Sequence, residues 1–311
     1  MSNINRLWDW FFYQGYSGLS LGALRALFGA GLLAYHFTQF GQLLILDPMG
    51  ASARFVEPIW YFESLGVSKH IAWLNIPIFI LLLIATWFFM IGRSIKPAII
   101  VAVLCIFYLK GVRDSFAGDV HHRYVVLVTM MFLFYFSKCS HVFAYDAKKF
   151  RDSAIEEWEA SWPIRAAQVY IVMFYFWAIV AKLRVTGWTW FDPAGQIQAK
   201  LLERSLRSGF DEHGELVKRA FSFELAEQVW VVWTFSALVA VFELVAPVVL
   251  FWRNRAVLLI FLAGAFSFHV ANYVLLNVQF FIYPIVFFTF FNMAGFADWY
   301  QSRTPHGRPA G

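Results

Sequence analysis

The sequence predicts an all-α fold, a multi-pass transmembrane helical bundle of about eight helices with one amphipathic helix on the membrane surface. Three observations carry this. Of the 311 residues, 60% are hydrophobic and only 14% charged, against about 25% charged in an ordinary soluble domain. The mean hydropathy is +0.59. Apolar runs of roughly spanning length recur along the chain with short polar connections between them. Phe, Trp and Tyr make up 20% of the residues, which suits lipid-facing surfaces and interfacial belts. The net charge of +5 is spread over loops without a basic block, which excludes a nucleic-acid partner. Two cysteines, Cys105 and Cys139, give neither a disulfide framework nor a metal-ligand spacing, so no metal is expected.

Residues 1–18, with Arg6, Trp8, Asp9 and Trp10, read as an interfacial lead-in without a signal-peptide cleavage pattern. The transmembrane domain is expected over residues 19–297, and residues 298–311, with Pro305 and Pro309, read as a disordered tail. The first four spans are placed at Leu19–Leu46, Ile71–Ile91, Ala98–Leu109 and Val125–Phe136. Pro77 in the second is a candidate kink. A charged loop follows from Lys138 to Trp162, and Pro163 opens the fifth span, which runs to Lys182. Between Arg184 and Gln228, Ile197, Leu201, Leu202 and Leu206 alternate with Lys200, Arg204 and Arg207 at the spacing of a surface amphipathic helix. Val229–Trp252, Ala256–Leu276 and Val278–Phe296 complete the set. Basic residues nearly balance on the two sides, so charge alone does not orient the chain.

The polar residues inside these runs are the functional candidates. Lys182 stands at the end of the apolar stretch Phe174–Leu183. An ammonium near hydrocarbon is costly, about 3 kcal/mol at mid-bilayer on insertion scales, so such a lysine snorkels, pairs or works. Desolvation favours its neutral form, a competent base. The bland alternative is an interfacial lysine followed by belt residues Trp188 and Trp190. With alternating spans, Lys182, His122 and His269 fall toward one membrane face, and Arg25 and Glu243 toward the other at similar depth. A lone helical histidine is more often a packing residue than a catalyst, whereas three elements converging on one face point to a site. Arg25 and Glu243 are expected to form a structural ion pair, since a buried carboxylate and guanidinium at matching depth most simply neutralise each other.

Several short pieces also resemble a known family. They are Leu24-Arg25-Ala26-Leu27-Phe28-Gly29, His122-Arg123-Tyr124, Tyr175-Phe176-Trp177-Ala178 with Lys182-Leu183, Glu243-Leu244, Phe268-His269 and Phe280-Phe281-Ile282-Tyr283. In their order and spacing the chain resembles the family named for its horizontally transferred transmembrane (HTTM) domain, including the membrane domain of vitamin K-dependent γ-glutamyl carboxylase. The resemblance implies a neutral lysine base at Lys182 acting on a reduced quinone, menaquinol or vitamin K hydroquinone. It also implies an oxyanion-holding role for His122, with His269 in the same site; Tyr124, Asn272 and Asn277 are the candidate cofactor-binding residues. The chain departs from the carboxylases at Ile179 and Ala181, where they carry a glycine and a second lysine, and ends soon after the eighth expected span.

Two functions therefore stand as expectations. One is an enzyme of carboxylase-like chemistry using a lipid quinol. The other is a non-enzymatic membrane partner in export, maturation or immunity for a secreted peptide or protein. In both, the partners are the bilayer and lipid-soluble or secreted molecules, and the location is a cell membrane, a bacterial inner membrane with both termini inside and the Lys182 end of the site outside.

Overall fold

A computed structural model of the chain describes residues 11–12, 15–45, 55, 57–69, 71–117, 123–150, 155–191, 196–209, 221–252, 254–276, 283–291 and 293. These residues form helices and no strand. The helices are α1 (Gly18–Ile45), α2 (Trp60–Ser64), α3 (Asn75–Ile91), α4 (Ile95–Ala117), α5 (Arg123–Phe136), α6 (Glu157–Thr186), α7 (Gln196–Gly209), α8 (Phe221–Glu227), α9 (Val229–Val245), α10 (Val248–Phe251), α11 (Arg255–Leu276) and α12 (Tyr283–Val286). Among the described residues, five segments are long and apolar enough to cross a membrane: Gly18–Gly41, Ile95–Phe116, Glu157–Trp190, Val229–Phe251 and Arg255–Leu275. Asn75–Ile91 and Tyr124–Phe136 are shorter apolar helices. The protein is thus an all-α membrane protein. Of the eighth expected span, residues 283–291 and 293 are described, and they form α12 and a 3-10 turn at Phe287–Phe290 instead of one long helix.

Local chemistry explains where the helices depart from the expected boundaries. Pro77 lies in the first turn of α3 and does not interrupt it, because a first-turn N–H has no intrahelical partner to lose. Helix α4 runs past the expected Leu109 to Ala117. The charges it meets are satisfied on the way: Lys110 pairs with Asp114 one turn later, and Arg113 donates to Gln39 at 2.5 Å. Helix α6 starts at Glu157 rather than Pro163. The carboxylate of Glu159 reaches back to accept from the Glu156 N–H at 3.1 Å, half of a capping box, and Glu157 and Glu159 complement the positive helix terminus. The expected sixth span, Val229–Phe251 in the structure, is interrupted as a regular helix, with α9 ending at Val245 and α10 beginning at Val248. Pro247 between them has no N–H for the ladder.

The chain divides into two compact units. The first comprises residues 1–167 and 285–311, the second residues 168–284. In the first, α1 packs on α3 and α3 on α4. The rings of Phe28, Phe89 and Phe134 meet at 5.6–6.3 Å and join α1, α3 and α5. Ile80, Ile84, Trp87 and Leu104 remain exposed on spanning or near-spanning helices, as apolar side chains do where the solvent is hydrocarbon. In the second, α7 packs its apolar edge, Ile197, Leu201 and Leu202, against α8 and the start of α9, while Lys200 and Glu203 stay exposed and pair at 2.8 Å.

Arg25 is 1% exposed in α1, and its surroundings correct the expected pair. Its Nη2 donates to the carbonyl of Phe143, while Nε and Nη1 have no hydrogen-bond partner. The guanidinium lies against Gly92, the residue that ends α3 in a left-handed conformation with φ 75°. A helix C-terminus carries about half a negative charge, and here that charge and the Phe143 carbonyl, rather than Glu243, face the cation.

The turn after α3 is held by Asp146. Its carboxylate accepts from the Ser94 N–H at 2.7 Å and from Lys149 Nζ at 2.9 Å. The Ser94 bond, and then Lys149, hold its titration below the ordinary 3.8. A carboxylate with a depressed value stabilises the fold fully above its ordinary value, and that contribution is lost as pH falls through the depressed one. Thermal denaturation of the parent is expected to lose stability below about pH 4 more steeply than Asp146→Asn. Superimposable acid limbs for the two proteins would contradict this role.

Candidate functional site

The second unit contains a polar arrangement on its spanning helices, and a simple register builds it. In α6, Ile171, Tyr175 and Ile179 are almost fully buried at steps of four, and three residues on is Lys182. In α9, Val232, Ser236, Ala240 and Glu243 follow the same steps of four, four and three. In α11, Phe261, Ala265 and His269 are buried, and Asn272 comes three residues later. Such steps keep side chains on one helical face. Each of the three inward stripes therefore ends in a polar residue.

Lys182 Nζ donates to both oxygens of Glu243, at 2.6 and 2.7 Å. The Glu243 side chain is 1% exposed and that of Lys182 is 24% exposed. The ammonium also lies 4.9 Å from the Trp190 ring centroid, within the range of a cation–π contact. Trp190 is brought there by the 3-10 turn Gly187–Phe191, which follows α6 directly. The pairing overturns two expectations. Glu243 is the partner of Lys182 and not of Arg25, and Lys182 has an opposite charge at contact distance. Depth explains the first error: α6 continues to Thr186, so Lys182 sits a turn inside the helix end and meets Glu243, fifteen residues into α9.

Beside the pair, His269 Nε2 and the Tyr175 hydroxyl are 2.6 Å apart. Tyr175, two turns before Lys182 on α6, packs edge-on against Phe242 at 5.4 Å and Phe268 at 6.0 Å, and the His269 ring lies 5.1 Å from Tyr283. The phenol and imidazole form a buried hydrogen-bonded couple next to the residue preceding Glu243.

Lys182 opens onto a cavity of about 220 Å3. Its polar lining is Lys182, Trp190 and Asn272, and its walls include Leu201, Val232 and Phe268. The Trp190 Nε1 has no hydrogen-bond partner and Asn272 Nδ2 donates to the Phe268 carbonyl at 2.9 Å, which leaves an amide oxygen in the cavity lining. Whole ligand pockets run from about 300 to 1,000 Å3, so this one suits a ring-sized head group with the remainder of the molecule outside. The lining thus offers hydrogen-bond donors at Lys182 and Trp190 and an acceptor at Asn272.

Of the sequence candidates, the structure brings together Lys182, Glu243 and Asn272, with His269 bonded to the same helix face through Tyr175. It does not bring Tyr124 to this cavity. Tyr124 belongs to the first unit, where it is buried against Tyr35 and Phe40 at 5.4 Å each. His122 and Asn277 lie outside the described residues. Two residues were missed. Tyr175 was readable from its place in the four, four, three stripe, whereas Trp190, taken as a belt aromatic, depends on a turn that no periodicity signals. No protein-family model, curated protein or solved structure matches the chain.

Proposed function

We propose that this membrane protein is an HTTM-family member that takes the head of a lipid-soluble quinol into the Lys182 cavity and accepts its hydroxyl proton on the Lys182–Glu243 pair. The observation that carries the reading is the bidentate contact of Lys182 Nζ with a fully buried Glu243 carboxylate at the wall of an apolar cavity. A lysine–carboxylate pair is neutral as a whole whichever partner holds the shared proton, and it can take up one more. The proton then resides on Glu243, and the ammonium of Lys182 is left facing the oxyanion, whose stabilisation in a water-poor site exceeds that in water. This replaces a lone neutral amine by a pair. Trp190 and Asn272 orient the ring, and a reduced quinone would supply the redox chemistry of any carboxylase-like reaction. We place the site in a cell membrane of the bacterial inner-membrane kind.

The second reading, a non-enzymatic partner in export, maturation or immunity for a secreted peptide or protein, is favoured by the same bidentate bond taken as a purely structural tie. A naphthol analogue of a menaquinol separates the two. Titrated into the purified protein, it is expected to bind saturably with its absorption shifted to the naphtholate form. Glu243→Gln should lose the shift, and Trp190→Leu should weaken binding about tenfold, equivalent to about 1.4 kcal/mol. Absence of saturable binding to the parent protein would favour the non-enzymatic reading.

A further inference from the structure

We propose that the first unit carries a groove for a single anionic phospholipid, one acyl chain lying between α4 and α5 with its phosphate at Lys110. This inference uses residues distinct from the Lys182 cavity and does not depend on the quinol reading. The groove has a volume of about 420 Å3, within the range of specific ligand sites, about 300–1,000 Å3. Ile106, Phe107 and Lys110 of α4 form one wall, and Val125, Val128 and Phe132 of α5 the other.

The occupant follows from what the groove faces at each end. Along its length, Phe107, Val125 and Phe132 are each about half exposed, and α4 is one of the segments long and apolar enough to span. A concavity opening there meets hydrocarbon, in which acyl chains are the abundant apolar species. The other end is polar. Ile59, Trp60 and Tyr61 close it, anchored to α4 by the Ile59 N–H donating to Ser115 Oγ at 2.9 Å and the Tyr61 hydroxyl donating to the Phe107 carbonyl at 2.7 Å. Burial, and then the charge of Asp114, push the Tyr61 phenol up to about 12, so it stays a neutral donor. Trp60 is 70% exposed, the placement of an interfacial belt residue at head-group level.

At that level the charged residue in the lining is Lys110. It donates to Asp114, and an ammonium has three N–H groups, so it can donate to a phosphate while keeping its internal partner. Arg113, three residues further along α4, is held by the uncharged amide of Gln39 and adds to the positive field. An apolar trough ending in an ammonium beside an interfacial tryptophan matches one phospholipid chain with an anionic head group.

Native mass spectrometry tests this on the full chain after reconstitution in nanodiscs of equal phosphatidylglycerol and phosphatidylcholine and extraction into mild detergent. The parent is expected to retain one phospholipid per chain, with phosphatidylglycerol favoured about tenfold. Val128→Trp, which fills the groove, should lose that lipid. The Lys110→Gln/Asp114→Asn double variant, which leaves no lone buried charge, should keep a lipid but lose the preference. No retained lipid on the parent overturns the proposal, as does equal retention of the two lipids. Unchanged retention by Val128→Trp also overturns it, by identifying the lipid as annular only. Thr129→Phe fills the same groove should Val128→Trp fail to fold, and the parent measurement stands without either variant.

Discussion

Lys182→Met is expected to destabilise the protein by about 3 to 5 kcal/mol, because it strands a carboxylate that is 1% exposed. Glu243→Gln should cost less, about 1 to 3 kcal/mol. The remaining Lys182 side chain is 24% exposed and reaches the cavity mouth, and the glutamine carbonyl still accepts one of its hydrogens. Denaturation of the detergent-extracted protein, followed by helical signal and by retention of a single elution peak, measures both. The order of the two costs matters more than their size. A Glu243→Gln variant less stable than Lys182→Met would mean that the lysine, not the carboxylate, is the member the fold cannot leave alone.

The stripes in α6, α9 and α11 show how much of this site could be read from the chain. Steps of four, four and three ending in Lys182, Glu243 and Asn272 are visible in the sequence, and they place all three residues on inward faces. What the sequence does not reveal is the relative depth of faces on different helices. Alternating spans with fixed ends set Glu243 opposite Arg25, but α6 overruns its expected end by a turn and a 3-10 segment. A helix rises 1.5 Å per residue, so an error of four residues moves a side chain by about 6 Å, the difference between one partner and another. Most of the spans themselves were legible because a run of apolar residues has few other fates. The groove beside Lys110 was not legible, since it depends on where residues 59–61 fold back onto α4.

Arg25 shows the same limit from the other side. Its sequence context, an arginine in a glycine-containing apolar helix, implies a compensating charge but not that a helix terminus supplies it. Gly92→Val is therefore expected to be among the most damaging single substitutions in the first unit. A Cβ at Gly92 would lie 1.8 Å from Arg25 Nη1 and 2.4 Å from Ala144 Cβ, and a β-branched residue at φ 75° adds about 1 to 3 kcal/mol of backbone strain. Displacing the buried guanidinium brings the expected total above about 3 kcal/mol. Gly66 is the control: its φ is 68° but nothing lies within 4 Å of its Cβ position, so Gly66→Val carries the backbone strain alone. Equal loss of stability in the two variants would show that the contact with Arg25 contributes nothing.

The Lys182–Glu243 pair is most directly tested by two double-mutant cycles sharing Glu243→Gln, one with Lys182→Met and the other with Arg25→Met, read as unfolding free energies in the same detergent. The Lys182 cycle is expected to show a coupling of about 1 to 3 kcal/mol, with the double variant much milder than the sum of its singles. The Arg25 cycle should be additive within about 0.5 kcal/mol. The reverse result, additivity for Lys182 and strong coupling for Arg25, would contradict the pairing and with it the proton-accepting site built upon it.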